Sequence, residues 1–227
     1  MSLDLRFKLN DKLYLRDPQD SKLGRKIIES SILLINELGF EAFTFKKLGK
    51  VIGSPEASIY RYFENKHMLL VFLINWYWEW INYRISLNLR NITDPKIKLK
   101  MLLEVILESK IQDAEFSFVD ETILQRVVIA ESSKAYHTKH IDTENKDGLF
   151  KSYKDLVANT ADLMKKNSPG YKYPRCLASN LFEMINNQIF FGEHLPRLTD
   201  FKSQKNINKD VSKMVKYYIS KQLDLDF

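Results

Sequence analysis

Glycine and proline are scarce in this chain, 7 and 6 among 227 residues, and long stretches run without either. Both residues interrupt helices. Their rarity, with apolar residues recurring at spacings of three and four, points to an all-α fold. The start is the exception. In "LDLRFKLNDKLYLRD" the apolar Leu3, Leu5, Phe7 and Leu9 alternate with Asp4, Arg6, Lys8 and Asn10. A period of two predicts a short β-hairpin turning at Asn10-Asp11. A loosely ordered tail is the alternative, because a lone hairpin is marginal without packing.

Asp17-Pro18 then breaks the chain. Ile27, Ile28, Ser31, Leu34, Ile35 and Leu38 mark one face of a helix over 21–38, ended by Gly39. Thr44 is the N-cap of a second helix that buries Leu48, Val51 and Ile52, and Gly53 closes it. Ser54 is expected to cap a third helix, with Pro55 at its first position and Ile59 and Phe63 facing inward. Asn65 caps a fourth, over 66–89. Asp94-Pro95 opens a fifth, whose Leu99, Leu102, Leu103 and Ile106 share a face. Another helix is expected over 117–136, followed by the polar connection "TKHIDTENKDG". Leu149, Tyr153, Leu156, Thr160 and Leu163 mark the next, and the last two fall at 175–193 and 208–222.

Composition narrows the class. A hydrophobic fraction of 44% is ample for a core. The one cysteine, Cys176, excludes an internal disulfide, reads as a small buried hydrophobe and fits a reducing compartment. No apolar run reaches the roughly 20 residues that span a bilayer, and the start lacks the apolar core of a signal peptide, so a cytoplasmic protein is expected. Lys and Arg outnumber Asp and Glu by 35 to 29, giving +6, which permits a polyanionic partner. His137 and His140 lack a third ligand at helical spacing, since Glu131 is badly placed, and no nucleophile motif occurs. No metal, no cofactor and no enzymatic activity are expected.

A short helix, a glycine turn and a second short helix rich in polar and aromatic residues have helix-turn-helix spacing. The second helix of such a unit enters the DNA major groove. Pro55, Glu56, Ser58, Tyr60 and Arg61 fall on or near its outer side, while Ile59 and Phe63 face inward. Tyrosine offers a phenolic donor to phosphate from a stiff ring. Lys66 would join the backbone N–H groups of the next helix at an anion site.

The run "TFKKLGKVIGSPEASIYRYFENKHMLL" resembles the DNA-binding signature of TetR-family regulators. Thr44, Leu48, Gly53, Ile59, Tyr60, Tyr62, Phe63, Lys66 and Leu69 fit it, over a resemblance that covers 21–81. It implies phosphate contacts from Thr44, Tyr60, Tyr62 and Lys66, and groove contacts from Pro55, Glu56, Ala57, Ser58 and Arg61. Three positions depart from the pattern. Gly49 replaces the usual alanine, at a propensity cost of about 1 kcal/mol. Ser54-Pro55 replaces Val-Ser, and Glu56 stands where a basic or neutral residue is commoner. Glu56 either accepts from a cytosine amine or favours the helix N-terminus.

The resemblance also implies a division of labour: an extension over 1–20, a DNA-binding head over 21–81 with its motif at 44–63, and a helical effector-binding and dimerisation body over 82–227. Trp76, Trp80 and Tyr83 share a face of the fourth helix. They read either as core or as the wall of a pocket for a small, largely apolar effector, with Glu131, Asn186, Asn187 and Gln188 as polar handles. Leu177, Leu181, Met184 and Gln188 form one stripe, and Val211, Met214, Val215 and Tyr218 another; a monomer could bury them internally, while the resemblance implies that they meet a second copy in a four-helix bundle. The expected protein is a homodimeric repressor, binding a pseudo-palindromic DNA operator and released by the effector, with the fourth helix as coupler. A small-molecule or lipid-binding protein with a vestigial head, or an effector-independent activator, would share these features.

Overall fold

Ser21 Oγ accepts the Gly24 N–H at 3.0 Å and starts the first helix, α1 (Lys22–Ala42). The computed structural model describes residues 6–107, 118–202 and 204–226. Gly24 is required where it stands: a Cβ there would lie 2.2 Å from the Pro18 carbonyl oxygen, because the 3-10 turn Pro18–Asp20 rests on α1. At Gly39 the backbone leaves helical geometry with φ 74°, which glycine adopts without penalty. The expected face of α1 is buried except for Leu38.

The short helices α2 (Phe45–Ile52) and α3 (Glu56–Tyr60) follow, then α4 (Lys66–Leu89) and α5 (Pro95–Leu107). The Asn65 carboxamide accepts the Met68 N–H, and the Asp94 carboxylate accepts those of Lys96 and Ile97. Both caps stand where the sequence puts them. Beyond come α6 (Glu121–Glu131), α7 (Ser133–Tyr136), α8 (Ile141–Lys146), α9 (Lys151–Asn167), α10 (Pro174–His194) and α11 (Ile207–Leu223). The expected helix over 117–136 is thus interrupted at Ser132, and its first residue, Ser117, lies outside the described residues. The polar "TKHIDTENKDG" holds a short helix, α8, instead of being purely a connection.

The hairpin does not form among the described residues, where no strand occurs; Leu3 and Leu5 lie outside them. The alternation does sort side chains, with Phe7 and Leu9 buried and Lys8 exposed. But Gln19 takes the place of a partner strand. Its side-chain oxygen accepts the Phe7 N–H at 3.2 Å, and its amide donates to the Phe7 carbonyl at 2.9 Å. Asn10 caps a 3-10 turn, Asp11–Leu13, and not a hairpin.

The helices divide into two compact units. One holds the described residues of Met1–Trp80 and Lys110–Lys151, the other those of Ile81–Ser109 and Ser152–Phe227. The region around α6 to α8, read from sequence as part of the body, therefore packs in the first unit. There Trp76 is fully buried, edge-on to Phe7 and Phe118 at 5.2 and 6.3 Å. In the second unit Val211, Val215, Ile219 and Leu223, one turn apart, form the buried stripe of α11. Gly192 of α10 approaches so closely that a Cβ would meet Ile207 at 3.0 Å. Lys216 pairs with Glu104 at 2.9 Å, which ties α11 to α5.

Candidate nucleic-acid interface

Thr44 Oγ1 accepts the Lys47 N–H at 3.2 Å, which fixes the start of α2. Phe45, Leu48, Gly49 and Ile52 are buried, and Lys46, Lys47, Lys50 and Val51 are exposed. Val51 thus lies outside the core to which its apolar side chain assigned it. Gly53 is left-handed, φ 67° and ψ 36°, and ends the helix. The Ser54 N–H then donates to the Gly49 carbonyl at 2.9 Å. A Cβ on Gly49 would stand 2.7 Å from the Ser54 oxygen. The glycine therefore admits the tight turn, beyond merely tolerating it.

Ser54 does not cap α3. The helix begins at Glu56, Pro55 precedes it in extended geometry, and no side chain bonds its first turn. Ser54 sits one residue too early, its N–H already committed to Gly49. Ile59 and Phe63 are fully buried. They hold a helix of 5 residues that could not persist alone. Pro55, Ala57, Tyr60 and Arg61 are exposed, while Glu56 and Ser58 are half-buried. The Tyr60 ring stands edge-on to Phe45 at 5.0 Å and remains 47% exposed. The side chain is thus braced at one edge and open to solvent over much of its surface.

Two residues expected at phosphates are placed otherwise. Tyr62 is only 3% exposed and its hydroxyl bonds Ser21 Oγ at 2.8 Å. Lys66 Nζ donates to the carbonyls of Phe40, Glu41 and Phe43 at 3.0, 3.1 and 3.3 Å. An ammonium has three N–H groups, so all are engaged. Lys66 clasps the end of α1, and it also lies 4.7 Å from the Phe40 ring centre. Lys46 and Lys50, absent from the residues expected at DNA, are exposed and make no ion pair among the described residues. Their spacing in "TFKKLGK", on the outer side of a helix capped by Thr44, is the signal that could have found them.

The other expected sites sort by burial. Trp76 and Trp80 are fully buried and Tyr83 is half-buried. Residues 69–78 are buried on every side of α4, so the aromatic stripe is not one face but part of a helix enclosed all round. Glu131 is no free polar handle: its carboxylate accepts the Phe40 N–H at 3.0 Å and pairs with Lys134 at 2.7 Å. Its partner Lys134 has its pKa raised, first by the hydrogen bond to Glu131. Asn186 is buried, Gln188 half-buried and Asn187 exposed. Leu177, Leu181, Val211 and Val215 are buried in the protomer's own core, which withdraws them from any second copy. Met184, Gln188 and Met214 are half-buried and Tyr218 is 39% exposed. Cys176, read as a buried hydrophobe, is exposed in the first turn of α10. Among the described residues no group of His, Cys, Asp and Glu could hold a metal ion, and no helix is long and apolar enough to cross a membrane.

Residues 27–71 match the family described as "Bacterial regulatory proteins, tetR family". Nucleoid occlusion factor SlmA of Haemophilus influenzae (strain PittGG) is 33% identical over 76 residues, which are 34% of this chain and 35% of the relative. The chain thus spans about a third of the length of the curated relatives it matches. AibR, solved in complex with isovaleryl coenzyme A and operator DNA, superposes with a TM-score of 0.57 at 16% identity, over 84% of this chain and 97% of that one. A TetR-family transcriptional regulator from Bordetella parapertussis 12822 gives 0.56 at 15% identity, over 86% and 95%. At such identities the structures attest the fold. The matched segment is the one that carries the capped α2, the left-handed Gly53 and the exposed side of α3, and over it the chain is similar to the TetR family of bacterial regulatory proteins.

Proposed function

We propose that the chain is a sequence-specific DNA-binding transcription regulator that lays the exposed side of α3 in the major groove. The carrying observation is a surface braced from within: Tyr60 and Arg61 exposed at a short helix held by buried Ile59 and Phe63, with Thr44, Lys46 and Lys50 exposed at the preceding helix. Thr44, Tyr60 and the two lysines suit phosphates, which position the helix. Pro55, Glu56, Ala57, Ser58 and Arg61 face the base edges. The Arg61 fork suits the O6 and N7 acceptors of a guanine. Glu56, in the first turn of α3, serves the helix N-terminus.

The finer reading is a homodimeric repressor on a pseudo-palindromic operator, released by a small, largely apolar effector. The fold shared with AibR, solved with both operator DNA and isovaleryl coenzyme A, supports it. An effector acts here only through unequal affinity for the DNA-bound and free states. Fluorescence anisotropy with a duplex from upstream of the gene tests the reading. Arg61→Ala should cost about 1–3 kcal/mol on the preferred duplex and relax discrimination against single-base variants of it. Equal binding of preferred and scrambled duplexes by the wild-type chain would refute sequence-specific reading. Isovaleryl coenzyme A and a panel of apolar small molecules, added to the complex, test release.

A further inference from the structure

We propose that Arg16, in the extension ahead of α1, contacts DNA phosphate and supplies at the edge of α3 the contact that Tyr62 cannot make. The inference rests on the DNA-binding reading above. The Leu15 N–H donates to the Tyr62 carbonyl at 2.8 Å, which pins this part of the extension to the chain directly after Arg61. The Arg16 guanidinium then lies over the Tyr62 ring, 5.5 Å from its centre. That ring is fixed in turn, since its hydroxyl bonds Ser21 Oγ. Tyr62 thereby serves as a platform for a cation and not as a phosphate donor.

Charge accounting separates Arg16 from its neighbours. Arg6 pairs with Asp20 and Lys12 with Asp147. Arg16 is exposed and makes no ion pair among the described residues; the adjacent Asp17 instead accepts the Gln19 N–H. Stacking on a ring face uses none of the five guanidinium N–H donors. A planar, always-charged fork held at the rim of a DNA-reading helix has the geometry for phosphate oxygens. A purely structural brace is the competing role, and it makes a different prediction.

Each neutralised phosphate steepens the dependence of log affinity on log salt by about 0.9. The test measures the full-length chain by anisotropy, over a range of salt, against labelled upstream and scrambled duplexes. Arg16→Ala should weaken both duplexes by the same factor and make the slope shallower by about 0.9 for each phosphate that Arg16 neutralises in the complex. Arg16→Lys keeps the charge and should restore most of the slope. Thermal melts of each variant accompany the titrations. An unchanged slope for Arg16→Ala, with or without a lower Tm, would reduce Arg16 to a structural brace. The DNA-binding reading would survive that result if Arg61→Ala still lost discrimination between the duplexes. A wild-type chain that bound neither duplex would remove both readings.

Discussion

Lys66 shows how much a single side chain depends on atoms that its sequence neighbours do not reveal. Its position after an aromatic block, at the head of α4, points to an anion. Its ammonium instead meets three carbonyls from the end of α1 and the approach to α2, 23 to 26 residues upstream. Those carbonyls belong to a stretch that has just left helical geometry at Gly39, so they lack intrahelical donors. Replacement of Lys66 by methionine keeps the stem and removes the donors. The expected loss is about 1–3 kcal/mol of folding stability, read by urea denaturation. The salt slope of DNA binding by the folded variant should stay at the wild-type value. A shallower slope would restore Lys66 to the phosphates.

At the scale of elements, the caps and breaks were legible because they are local. Thr44, Asn65, Asp94 and Gly53 each act within three or four residues of themselves, and each stands as read. The hold on residues 39–43 was not legible, for its other half comes from α6. Glu131 reaches the Phe40 N–H across 91 positions, and Lys134 bridges Glu131 to Glu41. Glu131→Ala leaves that N–H without its acceptor and should cost about 1–3 kcal/mol. Glu131→Gln keeps an acceptor and loses only the partly exposed ion pair, at about 1 kcal/mol or less. The pair raises the Lys134 pKa above the ordinary lysine value. Its contribution is therefore complete below that value and is lost as pH rises through the raised one. As pH rises from neutrality, the urea midpoints of wild type and Glu131→Gln should stay apart until strongly alkaline pH; a gap already closed at neutrality would assign the stabilisation elsewhere.

For the whole molecule, the all-α class and the contiguous helix-turn-helix segment could be seen in the chain, while the membership of α6 to α8 in the first unit could not. That membership is decided by contacts distant in sequence, such as His67 with Glu144 at 2.7 Å, which leave no periodic trace. The same limit misdirected the assembly stripes. An apolar stripe announces burial but not the partner that buries it, and Val211 and Val215 are already covered within one protomer. A homodimer through α10 and α11 must therefore use what lies outside that core: half-buried Met184, Gln188 and Met214, with Tyr218 and the 67% exposed Tyr217. Aromatic residues at such a surface are the usual energetic anchors of an interface. Tyr217→Glu with Tyr218→Glu should shift the sedimentation-velocity distribution toward monomer while the circular dichroism melt stays close to wild type. Val215→Ala should do the opposite, lowering stability by cavity formation at about 0.5–1.5 kcal/mol or more. Dimer and monomer fractions unaffected by the paired tyrosine substitutions would move the proposed interface off this face of α11. They would leave the one-turn spacing of two recognition helices on an operator without a structural basis in these two helices.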